Sequence, residues 1–526
     1  MNSDPDLLEL SKRAQANLSV PALYEAAIRR GECILASGGP LVVRTGSHTS
    51  RSPSDRFIVE EASSKSKIWW NGHHRPFPED RYVALRKRVV DHLRKQEGVY
   101  LQDCFVGADP DHRRSLRVIT DTAWQSIYAE NLFIRPTSAD LDRFRPDFLV
   151  IDASSFAADP AKDGTRTGTF ILIHPGRREI LIGGTSYAGE IKASVFAAMS
   201  YLLPEEGVLP IHASANVGHR GDVAVFFGLT GTGKTCLSAD PARALIGDDE
   251  HGWSEHGIFN LEGGCDAKLI RLSPTAEPEI YATTRRFGWV LENVVCDPTT
   301  RELDLDSDEI TENTRGVYPL DFIANASDTG LAGHPSNVIF LTSDAFGVLP
   351  PISRLTPAQA SYHFMSGYTA SAPGAEAGTA EPSATFSACY GAPFMPRHPG
   401  EYAKLLADRI ARHRATVWLV NTGWTGGPFG VGHRVRIQYT RAMVRAALEA
   451  KLTGVPTVTD GVFGIEVPTA CPDVPAEVLQ PRATWASKPT YNAQARKLAH
   501  MFAENFEQFA GGVSPEVLAA GPRTDG

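Results

Sequence analysis

Polar and apolar positions along the chain follow two periods. Short, nearly unbroken apolar runs at 148–152, 169–174, 179–183, 222–229, 338–342 and 416–421 read as buried strands. Apolar residues spaced three and four apart at 6–18, 80–95, 121–130, 188–203, 399–413 and 439–450 predict amphipathic helices. Within 80–95, Leu85, Val89 and Leu93 mark the buried stripe, and the many basic residues between them form a solvated face. Strand-like and helix-like segments alternate without an internal repeat, which is the signature of an α/β protein. A chain of 526 residues exceeds one ordinary core. Two mixed α/β domains, 1–207 and 208–526, are therefore expected. The exception to the patterning is 369–384, T-A-S-A-P-G-A-E-A-G-T-A-E-P-S-A, made of small residues with almost no apolar anchor. Its place between well-patterned segments favours a lid over a ligand rather than a linker.

Composition narrows the partners. With 42% hydrophobic and 21% charged residues the chain has the balance of a soluble globular protein. A net charge of −9 gives no basic surface for nucleic acid or an anionic membrane. No apolar stretch is long enough to cross a bilayer, and the start lacks the basic and apolar regions of a signal peptide. Seven scattered cysteines without a C-x-x-C indicate neither a disulfide framework nor a zinc knuckle. The expected setting is the cytoplasm. The tandem Trp69 and Trp70 read as packing, and His73 and His74 as a surface loop.

The run at 222–229 leads into G-L-T-G-T-G-K-T-C, residues Gly228, Leu229, Thr230, Gly231, Thr232, Gly233, Lys234, Thr235 and Cys236. Gly228, Gly233, Lys234 and Thr235 fill every fixed place of a phosphate-binding loop. The glycines let backbone N–H groups face a phosphate, the lysine reaches the outer phosphates, and the threonine hydroxyl suits Mg²⁺. Cys236 reads as a packed small residue or a modifiable thiol. Asp248 and Asp249 follow Lys234 by only fourteen and fifteen residues, behind the apolar Ala244-Leu245-Ile246. Carboxylates at the end of a strand beside the loop are metal–nucleotide ligands. Pro241 stops any helix between loop and acid after about two turns. The chain is expected to bind a nucleotide.

The block L-I-G-D-D-E-H-G-W-S-E-H-G-I-F-N at 245–260 resembles the signature of the ATP-dependent phosphoenolpyruvate carboxykinases. So do T-S-R-S-P-S-D-R-F (49–57), G-G-T-S-Y-A-G-E-I-K (183–192), H-A-S-A-N-V-G (212–218), T-E-N-T-R (311–315), F-G-V-L-P-P-I-S-R-L (346–355) and L-V-N-T-G-W (419–424). The resemblance implies an N-terminal domain, a C-terminal domain with the phosphate loop, and a cleft between them. It implies conversion of oxaloacetate and ATP to phosphoenolpyruvate, ADP and CO₂ by a monomer with Mg²⁺ and Mn²⁺, without other macromolecular partners. It places Arg51, Tyr187, Lys192, Lys234, Asp248 and Arg315 in catalysis, and His212 and Asp249 on a second divalent cation. It puts Glu292, Arg434, Val435 and Thr440, with Arg315 and the loop, around ATP. The chemistry is consistent with these residue types: guanidinium forks suit a dicarboxylate, and fixed donors suit a developing enolate.

Departures accompany the resemblance. Where the family continues E-[MI]-K-K, with the second lysine as an amine ligand to Mn²⁺, this chain reads E-I-K-A and has Ala193. Ser50 stands for the glycine before Arg51, and Ser371 and Ala375 alter the lid segment. Two further classes stay open beside a carboxykinase with a weakened metal site. One is a divergent relative phosphorylating another small carboxylic acid, and the other is an ATP-binding regulator.

Overall fold

The computed structural model describes residues 5–275, 277–371 and 383–524. These form two compact units, the first from 1–202 with 259–331 and the second from 203–258 with 332–526.

In the first unit, an eight-stranded sheet runs in the order Gln15–Ala16, Tyr100–Val106, Arg114–Thr120, Phe148–Ala153, Glu179–Gly183, Phe170–His174, Arg56–Glu60 and Pro76–Pro78. Phe148–Ala153 is buried at every position, and it pairs in parallel with both of its neighbours. That explains its unbroken apolar run, because a strand covered on both faces has no solvent side. The helix Glu79–Leu93 lays Leu85, Val89 and Leu93 onto Leu149, Ile151 and Leu181. A second, five-stranded sheet orders Gly264–Lys268, Arg315–Pro319, Val290–Glu292, Leu41–Val43 and Cys33–Leu35.

That sheet corrects the expected division at 207/208. Three of its strands come from 259–331, so this stretch returns to the first unit. Hydrophobic periodicity reports that a strand is buried, not which sheet buries it. The helix expected over 6–18 is also shorter, ending at Arg13. Beyond it, Gln15–Ala16 pairs with Tyr100–Leu101, and the Asn17 amide exchanges hydrogen bonds with Asp103, at 3.2 and 2.8 Å. Asn17 itself is left-handed, at φ 51°, which no helix continues. His74 is 2% exposed and therefore not a surface residue. Trp70 packs against Ile58, Ile68 and Tyr201, in line with a packing role.

In the second unit, the strands Glu250–Trp253, Leu209–Gly218, Val223–Gly228, Pro335–Thr342, Thr416–Asn421, Ile352–Leu355, Glu466–Pro468 and Thr457–Thr459 lie side by side in that order. Arg243–Gly247 pairs with the 215–218 half of Leu209–Gly218. Val223–Gly228 is wholly buried and parallel to Pro335–Thr342. Its Ala224 and Phe226 pack with Ile339, Leu341 and Val420, and with Met443, Val444 and Ala447 of the helix Ile437–Leu448. The expected lid falls mostly at 372–382, outside the described residues. Its flanks, Gly367–Ser371 and Ser383–Ser387, form an antiparallel hairpin.

Candidate active site

The phosphate loop leaves a fully buried strand and re-enters the short helix Lys234–Ser238, which ends before Pro241 as expected. Gly231 and Gly233 both have positive φ, 84° and 96°, which side-chain-bearing residues rarely adopt. A Cβ on Gly228 would collide with the Thr232 hydroxyl. The loop is tied from two sides. The Thr422 hydroxyl donates to the Thr232 carbonyl at 3.0 Å, and Arg434 donates to the carbonyls of Gly231 and Thr422 at 3.2 and 2.9 Å. Arg441 reaches the Cys236 sulfur at 3.3 Å.

Two adjacent strands and the phosphate loop bring three polar side chains together here. His212 lies opposite Glu250 in the pairing of Leu209–Gly218 with Glu250–Trp253, and Asp249 immediately precedes the latter strand. The His212 Nε2 is 3.0 Å from Asp249 Oδ1. The Lys234 ammonium donates to the same Oδ1 and lies 3.5 Å from His212 Nε2. On its other side His212 meets the Tyr390 carbonyl through Nδ1, at 3.0 Å. A carbonyl only accepts, so Nδ1 carries the proton and the neutral ring presents a lone pair at Nε2. Burial, reinforced by Lys234, keeps His212 below the usual histidine range against the pull of Asp249. Cys389 and Tyr390 both hold left-handed backbones, at φ 56° and 57°, so the carbonyl that orients His212 comes from a strained turn. Asp248 points its backbone the other way, its carbonyl accepting from the Ser214 hydroxyl.

The Nε2 of His212 and the Oδ1 of Asp249 are two acceptors at hydrogen-bond distance from each other. Such a pair is stable only with a cation or proton between them, and the Lys234 ammonium is the cation there in this structure. The donor set therefore fits a divalent cation held by one imidazole and one carboxylate. Among the described residues no group of three or more His, Cys, Asp or Glu side chains converges on a metal position.

The first unit assembles a second cluster. Tyr187, 4% exposed, precedes the helix Gly189–Leu202. The Asn313 amide donates to the Thr49 carbonyl at 2.9 Å and to the Tyr187 hydroxyl at 3.3 Å. Its oxygen accepts from Arg315 Nε at 3.1 Å. Arg51 is exposed on the loop that Thr49 begins. The buried Glu190 secures that loop, accepting from the Ser52 N–H at 2.5 Å and from Arg56 at 3.0 Å. Lys192, 8% exposed, pairs with the buried Glu262 at 2.9 Å. Burial, and then the charge of Asp266, raise the Tyr187 hydroxyl above the usual tyrosine range.

Glu292, expected at the adenosine, lies in the first unit opposite Arg315 in the strand register. Its carboxylate accepts from the Ala188 N–H at 3.0 Å, and burial, with Asp266 nearby, raises it to about 8. Arg434 does reach the phosphate loop, whereas the Val435 side chain packs into the core of the second unit and Thr440 is 1% exposed. The sequence reading missed Asn313, Glu190, Glu262 and Tyr390. Asn313 and Glu190 sit inside the blocks T-E-N-T-R and Y-A-G-E-I-K, so the signal for both lay in the sequence. No local signal marks the Tyr390 carbonyl, because any residue carries one.

The phosphoenolpyruvate carboxykinase family model matches residues 12–477. Among curated relatives, phosphoenolpyruvate carboxykinase (ATP) 2 of Moorella thermoacetica is 57% identical over 506 residues, 96% of each chain. The phosphoenolpyruvate carboxykinase (ATP) of Parvibaculum lavamentivorans is 56% identical, covering 96% of this chain and 94% of that one. That of Thermus thermophilus is 53% identical over 98% of both.

Proposed function

The chain belongs to the phosphoenolpyruvate carboxykinase family, and from that premise we propose that it converts oxaloacetate and ATP to phosphoenolpyruvate, ADP and CO₂. The observation that carries this reading is the convergence of Lys234, His212 and Asp249 beside a complete phosphate loop. Arg51, Tyr187 and Arg315 hold the two carboxylates of the substrate, with Asn313 spacing them. The bond to the departing carboxylate breaks, CO₂ leaves, and its electron pair passes to the ketone oxygen as an enolate. That oxygen attacks the γ-phosphorus of ATP as the bond to ADP breaks. Lys234 and the loop N–H groups neutralise the phosphates through the transfer.

His212 and Asp249 would hold a divalent cation, Mn²⁺ or Mg²⁺, and Thr235 the Mg²⁺ of the nucleotide. A cation there supplies electrostatic stabilisation of charge developing on oxygen. Ala193 offers no donor atom, so the lysine ligand of the family's pattern has no counterpart in this chain.

Purified protein given oxaloacetate, ATP and Mn²⁺ should form phosphoenolpyruvate and ADP in equal amounts. Nucleotide binding without turnover of oxaloacetate would sink this reading in favour of an ATP-binding regulator. ATP should be used with higher kcat/KM than GTP, and comparable efficiencies would remove the assignment to the ATP-dependent class.

A further inference from the structure

Lys234 occupies two roles that one ammonium group cannot fill at once. As the phosphate-loop lysine it serves the outer phosphates. In this structure its ammonium instead donates to Asp249 Oδ1 and stands 3.5 Å from His212 Nε2. Those two atoms are only 3.0 Å apart. The ammonium therefore sits beside the Asp249 oxygen, on the atom a cation shared with His212 would use. A divalent ion bonded to Asp249 Oδ1 lies about 2 Å from it, within the space the ammonium fills, and like charges at that separation repel strongly.

We propose that Lys234 competes with the divalent cation for Asp249, so that nucleotide and cation binding to this chain are coupled through one side chain. The inference rests on the proposed function for what the two ligands are. Without phosphates, Lys234 closes the cation position. Phosphates draw the ammonium onto themselves, and Asp249 is released to the metal. Linkage makes the effect mutual: the nucleotide raises affinity for the cation, and the cation raises affinity for the nucleotide by the same factor. Among the described residues two such side chains, His212 and Asp249, converge in this unit, so competition by a resident ammonium matters more than at a site with a full shell.

The test measures Mn²⁺ binding to the full-length, nucleotide-free chain by the paramagnetic resonance signal of free Mn²⁺. Lys234→Met keeps the length of the side chain and removes the charge. It should bind Mn²⁺ at least about tenfold tighter than the wild type, because the fraction of competent sites rises. Adding Asp249→Asn to Lys234→Met should erase that gain. Equal or weaker Mn²⁺ binding by Lys234→Met overturns the proposal, and so does a gain that survives Asp249→Asn.

A second measurement needs no variant and separates displacement from simple removal of charge. Mn²⁺ alone should increase acylation of Lys234 in the wild type several-fold, read by mass spectrometry, because a side chain displaced from its ion pair with Asp249 is more open to the reagent. Unchanged or reduced labelling overturns the proposal. Neither readout uses turnover, so a chain that fails the oxaloacetate assay can still pass this test, and the reverse.

Discussion

The two units hold their candidate residues in contrasting ways. In the second, residues 228–249 supply the loop, Lys234 and Asp249, while His212, Tyr390, Thr422 and Arg434 come from elsewhere. In the first, Asn313 links Thr49, Tyr187 and Arg315, and its partner Thr49 is 264 residues away in sequence. Phosphate recognition needs a tight backbone turn, which a short peptide can encode by itself. Orienting two carboxylates needs side chains from several directions, which only a folded sheet can bring together. The nucleotide side should therefore fail sharply at single positions, and the carboxylate side gradually.

The sharpest test of that contrast is Lys234→Ala, or Thr235→Ala. Each should lower kcat by at least about 10² to 10³, the scale for removing one group that stabilises transferring charge. Normal turnover by Lys234→Ala would break the nucleotide side of the comparison. Next comes Ala193→Lys, which returns a nitrogen to the position where the family's pattern has a metal ligand. It should raise Mn²⁺-dependent turnover by up to roughly a hundredfold. Lys192 is already paired with the buried Glu262 at 2.9 Å, so it is not at hand to substitute. A wild type with ordinary family rates and no gain from the added lysine would refute the missing-ligand argument.

On the carboxylate side, Asn313→Ala removes three hydrogen bonds but no charge. KM for oxaloacetate should rise about tenfold with kcat changed less, since a hydrogen bond contributes about 1 kcal/mol net. KM for ATP should stay put. An equal loss in both would mean that Asn313 acts on the whole fold rather than on Arg315 and Tyr187.

Stability against pH tests each unit by itself, because two buried groups run in opposite directions. His363, in the second unit, is pushed by burial down to about 4 from 6.5. Between pH 6.5 and 4 the unfolded chain takes up a proton that the folded chain refuses, so stability falls as pH falls, by roughly 3 kcal/mol in all. Glu292, in the first unit, is raised from 4.5 to about 8. Between pH 4.5 and 8 the unfolded chain releases a proton that the folded chain keeps, so this group's contribution falls as pH rises. Melting temperatures of His363→Phe should drop less than wild type from pH 7 to pH 5. Those of Glu292→Gln, which keeps an oxygen for the Ala188 N–H, should drop less from pH 6 to pH 8. Parallel curves for variant and wild type would remove either group from the account.

Much of this protein is legible before any fold is known. Apolar runs at 148–152, 179–183 and 416–421 became the strands Phe148–Ala153, Glu179–Gly183 and Thr416–Asn421, because a fully buried strand needs apolar residues on both faces. The turn at 228–234 could be read directly, because its glycines at positive φ set a local backbone geometry. Long-range assembly could not be read in this way. The return of 259–331 to the first unit depends on edge pairing with Leu41–Val43, which no local pattern announces. The placement of Glu292 opposite Arg315, and the Tyr390 carbonyl on His212, depend on register and on a strained turn. Sequence determined which chemistries were available, since donors and acceptors are written in the residues. Tertiary structure decided which of them meet, since a hydrogen bond exists only where the fold brings its two ends within about 3 Å.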